Sequence, residues 1–174
     1  MTEPDALAAD LLDGLAGLPM EEVRARRAAC QRLETQLSYV RRLAQGRLDI
    51  VAAEIAARRL GTSDDRTLVE QLTEALADRI TSPGSGHLPL GLTPGEVDEE
   101  LLAGLDRAAP PSLVSAPAAM ADDDLRRVAA ALTVFERQVS DRRRVMFDRI
   151  DALQEEVVRR YRSGEADVDS LLNR

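Results

Sequence analysis

Apolar residues recur at Leu33, Leu37, Val40, Ala44, Leu48, Val51 and Ile55, in steps of 4, 3, 4, 4, 3 and 4. This spacing is a coiled-coil seam with one additional step of four. No proline interrupts residues 20–60 and Gly46 is the sole glycine, so the pattern predicts one continuous helix. At 1.5 Å per residue it would be about 60 Å long, too long to bury in a compact globule, so it needs a partner helix. Residues 122–162 supply one, with apolar Leu125, Val128, Leu132, Phe135, Val139, Met146, Ile150, Leu153 and Val157. Asp122, Asp123 and Asp124 suit the N-terminus of that second helix because carboxylates complement the positive end of the helix macrodipole.

Shorter elements are expected around these two. Residues 1–19 read as a short amphipathic helix, DALAADLLDGLAGL, stopped by Pro19. Residues 61–121 read as an acidic connecting segment. In it Gly61 ends the first long helix, Ser63 caps a helix to about Ile80, and 81–95 form a Pro/Gly-rich loop. Thr93 and Glu96 have the spacing of a capping box for a helix EVDEELLAGLD, and Pro110, Pro111 and Pro117 are expected to hold the next stretch out of helix. An acidic tail, 163–174, follows Gly164. The fold expected is all-α and a single domain: two long helices paired as an antiparallel coiled-coil hairpin, with short helices before and between them.

Composition narrows the chemistry. All 23 basic residues are Arg, so every side-chain cation other than a protonated His is a planar, five-donor guanidinium. One Cys and one His exclude a disulfide framework and the usual zinc clusters. Cys30, seven residues before Leu37, belongs on the seam as a small core residue, and His87 reads as an ordinary loop residue. Acids without bases at the N-terminus are the wrong sign for a signal peptide, and no apolar run reaches membrane-spanning length, so a cytoplasmic protein is expected. The net charge of −8 argues against direct DNA binding. The charge is uneven, however: residues 21–60 hold nine Arg against five acids, whereas 61–121 hold three Arg against ten. No nucleophile–base pair or phosphate-cradling loop suggests an enzyme.

The polar face of the first long helix is less ordinary. In ETQLSYVRRLAQGRLD, the positions Glu34, Ser38, Arg41, Gln45 and Asp49 step by 4, 3, 4 and 4. At 100° per residue they fall in one stripe roughly 80° wide. In ERQVSDRRRVMFDRID on the second helix, Glu136, Ser140, Arg143 and Asp151 stand at the same offsets, with Phe147 where the first copy has Gln45. Each motif residue follows a seam position, and Arg142 occupies one such position where the repeat asks for an apolar residue. Arg41, Arg42, Arg142, Arg143 and Arg144 form a positive cluster that would repel itself unless an anion lay beside it. Guanine fits such a stripe, since its O6 and N7 accept bidentate bonds from Arg while N1–H and N2–H₂ donate to a carboxylate.

The motif Glu-x3-Ser-x2-Arg-x3-Gln-x3-Asp, once on each helix of a coiled coil, resembles the cyclic-di-GMP signature of the RsiG family of actinobacterial anti-sigma factors. The resemblance covers the two long helices, about 80 residues, matching five positions in the first copy and four in the second. It implies a protein that binds two cyclic-di-GMP molecules and, when loaded, holds a WhiG-type, flagellar-like sigma factor inactive, repressing sporulation genes. It implies ligand contacts from Glu34, Ser38, Arg41, Gln45, Asp49, Glu136, Ser140, Arg143 and Asp151. Arg42, Arg142 and Arg144 could add contacts, and Phe147, which departs from the motif, could stack on a base in place of the amide contact. No metal is implied. The acidic segment 93–106 would then be a dock for a basic sigma-factor surface, or simply a solvated helix. The alternative for the whole chain is a structural coiled-coil adaptor with solvated flanking charges and no nucleotide ligand.

Overall fold

The computed structural model describes residues 5–60 and 97–165, and among them every regular element is helical. Helix α1 spans Met20–Leu60, α2 Glu99–Ala108, α3 Pro111–Val114 and α4 Asp122–Ser163. Single 3-10 turns occupy Leu15–Gly17 and Pro117–Ala119. The long helices match the elements expected from the seam periodicity. Glu21 and Glu22 open α1 and Arg58 and Arg59 close it, while α4 runs from three Asp to Arg160 and Arg162. Both charge gradients oppose the helix macrodipole favourably. Gly164, at φ 76°, takes the left-handed conformation that ends α4. The readings at Gly61, Ser63, His87, Thr93 and Glu96, and the tail from 166, lie outside the described residues.

Contacts group the chain into two compact units, and each long helix contributes to both. In the unit formed by 36–140, α1 and α4 run antiparallel: Arg41 bonds Glu136, and seventeen residues further along α1 Arg58 bonds Asp122. The seam residues Leu37, Val40, Ala44 and Val51 pack out of solvent, as do Leu125, Leu132 and Val139. Helix α2 adds Leu101 and Leu105 to this core, and Gly104 lets it approach closely, since a Cβ there would lie 3.0 Å from the Phe135 ring. Arg47 ties down the end of α2 through Asp106 at 2.7 Å and the Ala109 carbonyl at 2.6 Å.

Two expectations for the connector change. Helix α2 starts at Glu99, with the Asp98 side chain accepting from the Glu100 N–H at 2.7 Å. Pro111 and Pro117 each begin a short helix rather than prevent one. Proline suits the first helical position, where its missing N–H would be unpaired anyway.

In the unit formed by 1–35 and 141–174, the long helices are again antiparallel, with Arg24 bonded to Tyr161, Arg27 to Gln154 and Arg143 to Glu34. Cys30 is fully buried here, beside a core that includes Val23, Met146 and Leu153; burial raises its thiol pKa. The expected helix over 5–18 is instead a chain of turns ending in one 3-10 turn. Its main-chain bonds span three residues, as in Ala8 N–H to Asp5 and Leu18 N–H to Leu15, and Gly14 stands at φ 63°. The physical reason is competition for carbonyls. Arg149 donates to Ala6, Arg26 to Leu11, and Arg160 to both Leu15 and Leu18. At Ala6 and Leu11 guanidinium donors from the long helices thus take acceptors that an α-helix would use internally. At Leu15 and Leu18 they satisfy carbonyls that a helix ending before Pro19 would leave unpaired.

Arg160 also donates to Glu156 at 2.6 Å, and Arg159 does so through two nitrogens. Hydrogen bonds from Arg159 and then Arg160 pull the Glu156 carboxyl from the ordinary 4.5 down to about 2. A carboxyl with a depressed folded pKa stabilises the fold above its unfolded value and loses that contribution as pH falls. The expected result is that stability drops more steeply between about pH 4.5 and 2 in the natural protein than in Glu156→Gln, as thermal melts across that range will read. Parallel curves would refute the linkage.

Candidate functional site

The two motif copies meet through their charges. In the unit formed by 36–140, Glu136 of the second copy receives three donors on one oxygen, Oε1. Arg41 Nη1 lies at 3.2 Å, Gln45 Nε2 at 3.1 Å and Ser140 Oγ at 3.1 Å. Arg41 and Gln45 come from α1, whereas Ser140 sits one turn beyond Glu136 on α4. Ser38 is buried and Asp49 is half-buried. Arg41 Nε and Arg42 Nη1 are buried and lack a hydrogen-bond partner, which leaves donors of two adjacent guanidinium groups unsatisfied.

In the unit formed by 1–35 and 141–174 the roles reverse. Glu34 of the first copy accepts from Arg143 Nε of the second at 2.8 Å. The Arg143 guanidinium also lies over the Phe147 ring, 4.7 Å from its centroid. Phe147 is exposed, and so is Asp151.

One geometric rule explains both pairs. Within each copy Glu precedes Arg by seven residues, two helical turns. In an antiparallel pair, a register that sets Glu34 opposite Arg143 necessarily sets Arg41 opposite Glu136. The self-repelling Arg cluster expected from the sequence is therefore relieved in part from within: Arg41 and Arg143 each have a counter-ion from the other copy. Arg142 departs from expectation as well, since it is exposed rather than on the buried seam between Val139 and Met146. Burying an unpaired guanidinium would cost more than one missing seam contact. Arg144 is exposed too, and Arg42 is half-buried. In the acidic segment, Glu99 and Glu100 are exposed, while Asp106 is already paired with Arg47.

These pairs are poised for exchange. The Arg41 and Glu136 side chains keep 27% and 24% of their surface exposed, and Arg143 and Glu34 keep 30% and 18%. Ion pairs open to water to this degree are worth about 0–1 kcal/mol. Pairs this weak leave each Arg able to re-pair with a planar acceptor that offers it bidentate bonds. Among the described residues, no three His, Cys, Asp or Glu side chains gather as a metal site, and no helix is long and apolar enough to cross a membrane.

A family model described as RsiG-like matches residues 9–76 and 112–174. The chain belongs to the RsiG-like family. The matched segments contain both long helices and both motif copies, 34–49 and 136–151, and omit the connector from 77 to 111. No curated protein matches the chain. Family membership points to a regulatory, anti-sigma role rather than an enzymatic one.

Proposed function

We propose that this protein is a cytoplasmic anti-sigma factor that binds cyclic di-GMP on its paired long helices and, when loaded, sequesters a WhiG-type sigma factor, repressing sporulation-stage transcription. The observation that carries the reading is the reciprocal exchange of counter-ions, Arg41 with Glu136 and Arg143 with Glu34. It sets two equivalent Arg–carboxylate groups on the helix pair, each open enough to be re-paired by a ligand. Two groups suit two ligand molecules, and the carboxylates of Asp49 and Asp151 provide acceptors for guanine N1–H and N2–H₂. The unpaired Arg41 Nε and Arg42 Nη1 supply donors for phosphate oxygens.

Calorimetric titration of the whole protein with cyclic di-GMP and cyclic di-AMP tests this, first alone and then with the sigma factor present. Cyclic di-GMP is expected to bind, and cyclic di-AMP to bind poorly because adenine lacks O6 and the N1–H/N2–H₂ donor pair. Sigma is expected to bind at least several-fold tighter with nucleotide, since linkage of this kind is typically about 1–3 kcal/mol, and to tighten nucleotide binding by the same factor. Equal affinity for both dinucleotides would argue against guanine recognition. No binding of either would leave the same ion pairs as a structural zipper, which is the adaptor reading.

A further inference from the structure

The two motif copies differ at one position, and the structure gives that difference a physical form. In the first copy Gln45 donates to Glu136 and so helps hold the carboxylate that faces Arg41. Phe147 stands at the matching place in the second copy and has no donor to offer Glu34. It lies instead against the Arg143 guanidinium, 4.7 Å from ring centroid to Cζ, within the range of an attractive cation–π contact. Arg143 uses Nε for Glu34, so that hydrogen bond does not occupy the terminal fork that reads a guanine edge. The ring is not part of the core: Phe147 is 41% exposed, although a large aromatic side chain ordinarily favours burial. An exposed ring fixed by a guanidinium at one position of a ligand-reading stripe is placed to receive a planar group.

We propose that Phe147 is a ligand-binding residue that gives the second motif copy a stacking contact with a purine base, where the first copy reads by hydrogen bonds alone. The proposal rests on the nucleotide reading above. Arg143 has two tasks in it. Without nucleotide it covers the ring face, and when a base takes that face it turns its fork to the base's edge, so the second half-site couples edge recognition to face recognition. Stacking tolerates any purine, because every base has a π-face. The ring therefore adds affinity, and the guanine preference stays with Arg143 and Asp151.

The absence of tryptophan from the chain makes a clean test available. In Phe147→Trp the new indole is the sole one, so its fluorescence reports that position alone. Cyclic di-GMP is expected to bind this variant within about twofold of the natural protein and to quench its emission at saturation. Phe147→Ala is expected to bind roughly tenfold or more weakly, the usual range for loss of one base–aromatic stack. Its circular dichroism melt is expected to be unchanged, because the ring is exposed. Unaltered binding by Phe147→Ala, or emission from Phe147→Trp that does not respond at saturating nucleotide, would overturn the proposal while leaving the nucleotide reading intact. Failure of the natural protein to bind cyclic di-GMP would overturn both.

Discussion

Arg41→Ala combined with Arg143→Ala is expected to abolish measurable cyclic-di-GMP binding, and with it nucleotide-dependent retention of the sigma factor. Each truncation removes a guanidinium that, in the proposed site, makes a bidentate contact with a guanine edge worth about 1–3 kcal/mol, roughly ten- to hundredfold in affinity. The two Arg residues lie in different compact units and have separate Glu partners, so their losses are expected to combine with little coupling. The fold should barely notice. Both ion pairs are part-exposed and worth about 0–1 kcal/mol each, and Glu136 keeps its bonds from Gln45 and Ser140. Calorimetry should therefore show binding lost while circular dichroism shows the helices intact. In cells the sigma-dependent genes should be expressed early. A double variant that binds within threefold of its parent would remove both guanidinium groups from the site.

Arg160→Leu is expected to have the largest effect on stability. Arg160 is 5% exposed, yet it makes three directed bonds: to Glu156 at 2.6 Å, to the Leu18 carbonyl at 2.7 Å and to the Leu15 carbonyl at 2.6 Å. A hydrogen bond from a charged donor contributes about 1.5–3 kcal/mol, and breaking a buried ionic contact costs about 3–5 kcal/mol. Against a typical domain stability of about 5–15 kcal/mol, that is a large fraction. The damage should also be local. Residues 5–19 hold few apolar groups in the core, Ala6 and Leu11, and depend on Arg donors for their position. Limited proteolysis should cut this segment many-fold faster in the variant, and urea unfolding should show a lowered midpoint. Arg160→Lys should recover only part of the loss, because an ammonium cannot reproduce three bonds from one planar fork. An unchanged urea midpoint would contradict this account of how the segment is held.

Much of the fold was legible because its determinants are local and periodic. The seam from Leu33 to Ile55 and its counterpart from Leu125 to Val157 determine both long helices, and the charged ends set their limits. The segment 5–18 misled for a reason the pattern cannot contain. Its apolar spacing is helical, but carbonyls within it are taken by Arg26 and Arg149 from distant positions in the chain. Arg142 misled in the opposite way, since periodicity placed on the seam a group whose desolvation keeps it outside. At the candidate site the residues of each stripe were readable, whereas their partners were not drawn from it. The seven-residue interval between Glu and Arg, set in an antiparallel pair, already contained the answer. What the sequence suggested as repulsion among cations became exchange of counter-ions between copies.

That exchange has a consequence for inheritance. A duplicated motif ordinarily frees one copy to drift while the other preserves the task. Here each copy's Glu is the other's counter-ion, so a change at Glu34 leaves Arg143 alone 109 positions away, and a change at Glu136 does the same to Arg41. The interval of seven residues is bound in the same way, because lengthening it in one copy would leave only one of the two pairs in register. Phe147 shows where the copies already differ: at a position whose counterpart, Gln45, carries no charge and meets Glu136 by a neutral amide donor. The charged positions of the two halves are thus tied in pairs, so that a substitution in one copy calls for a matching substitution in the other.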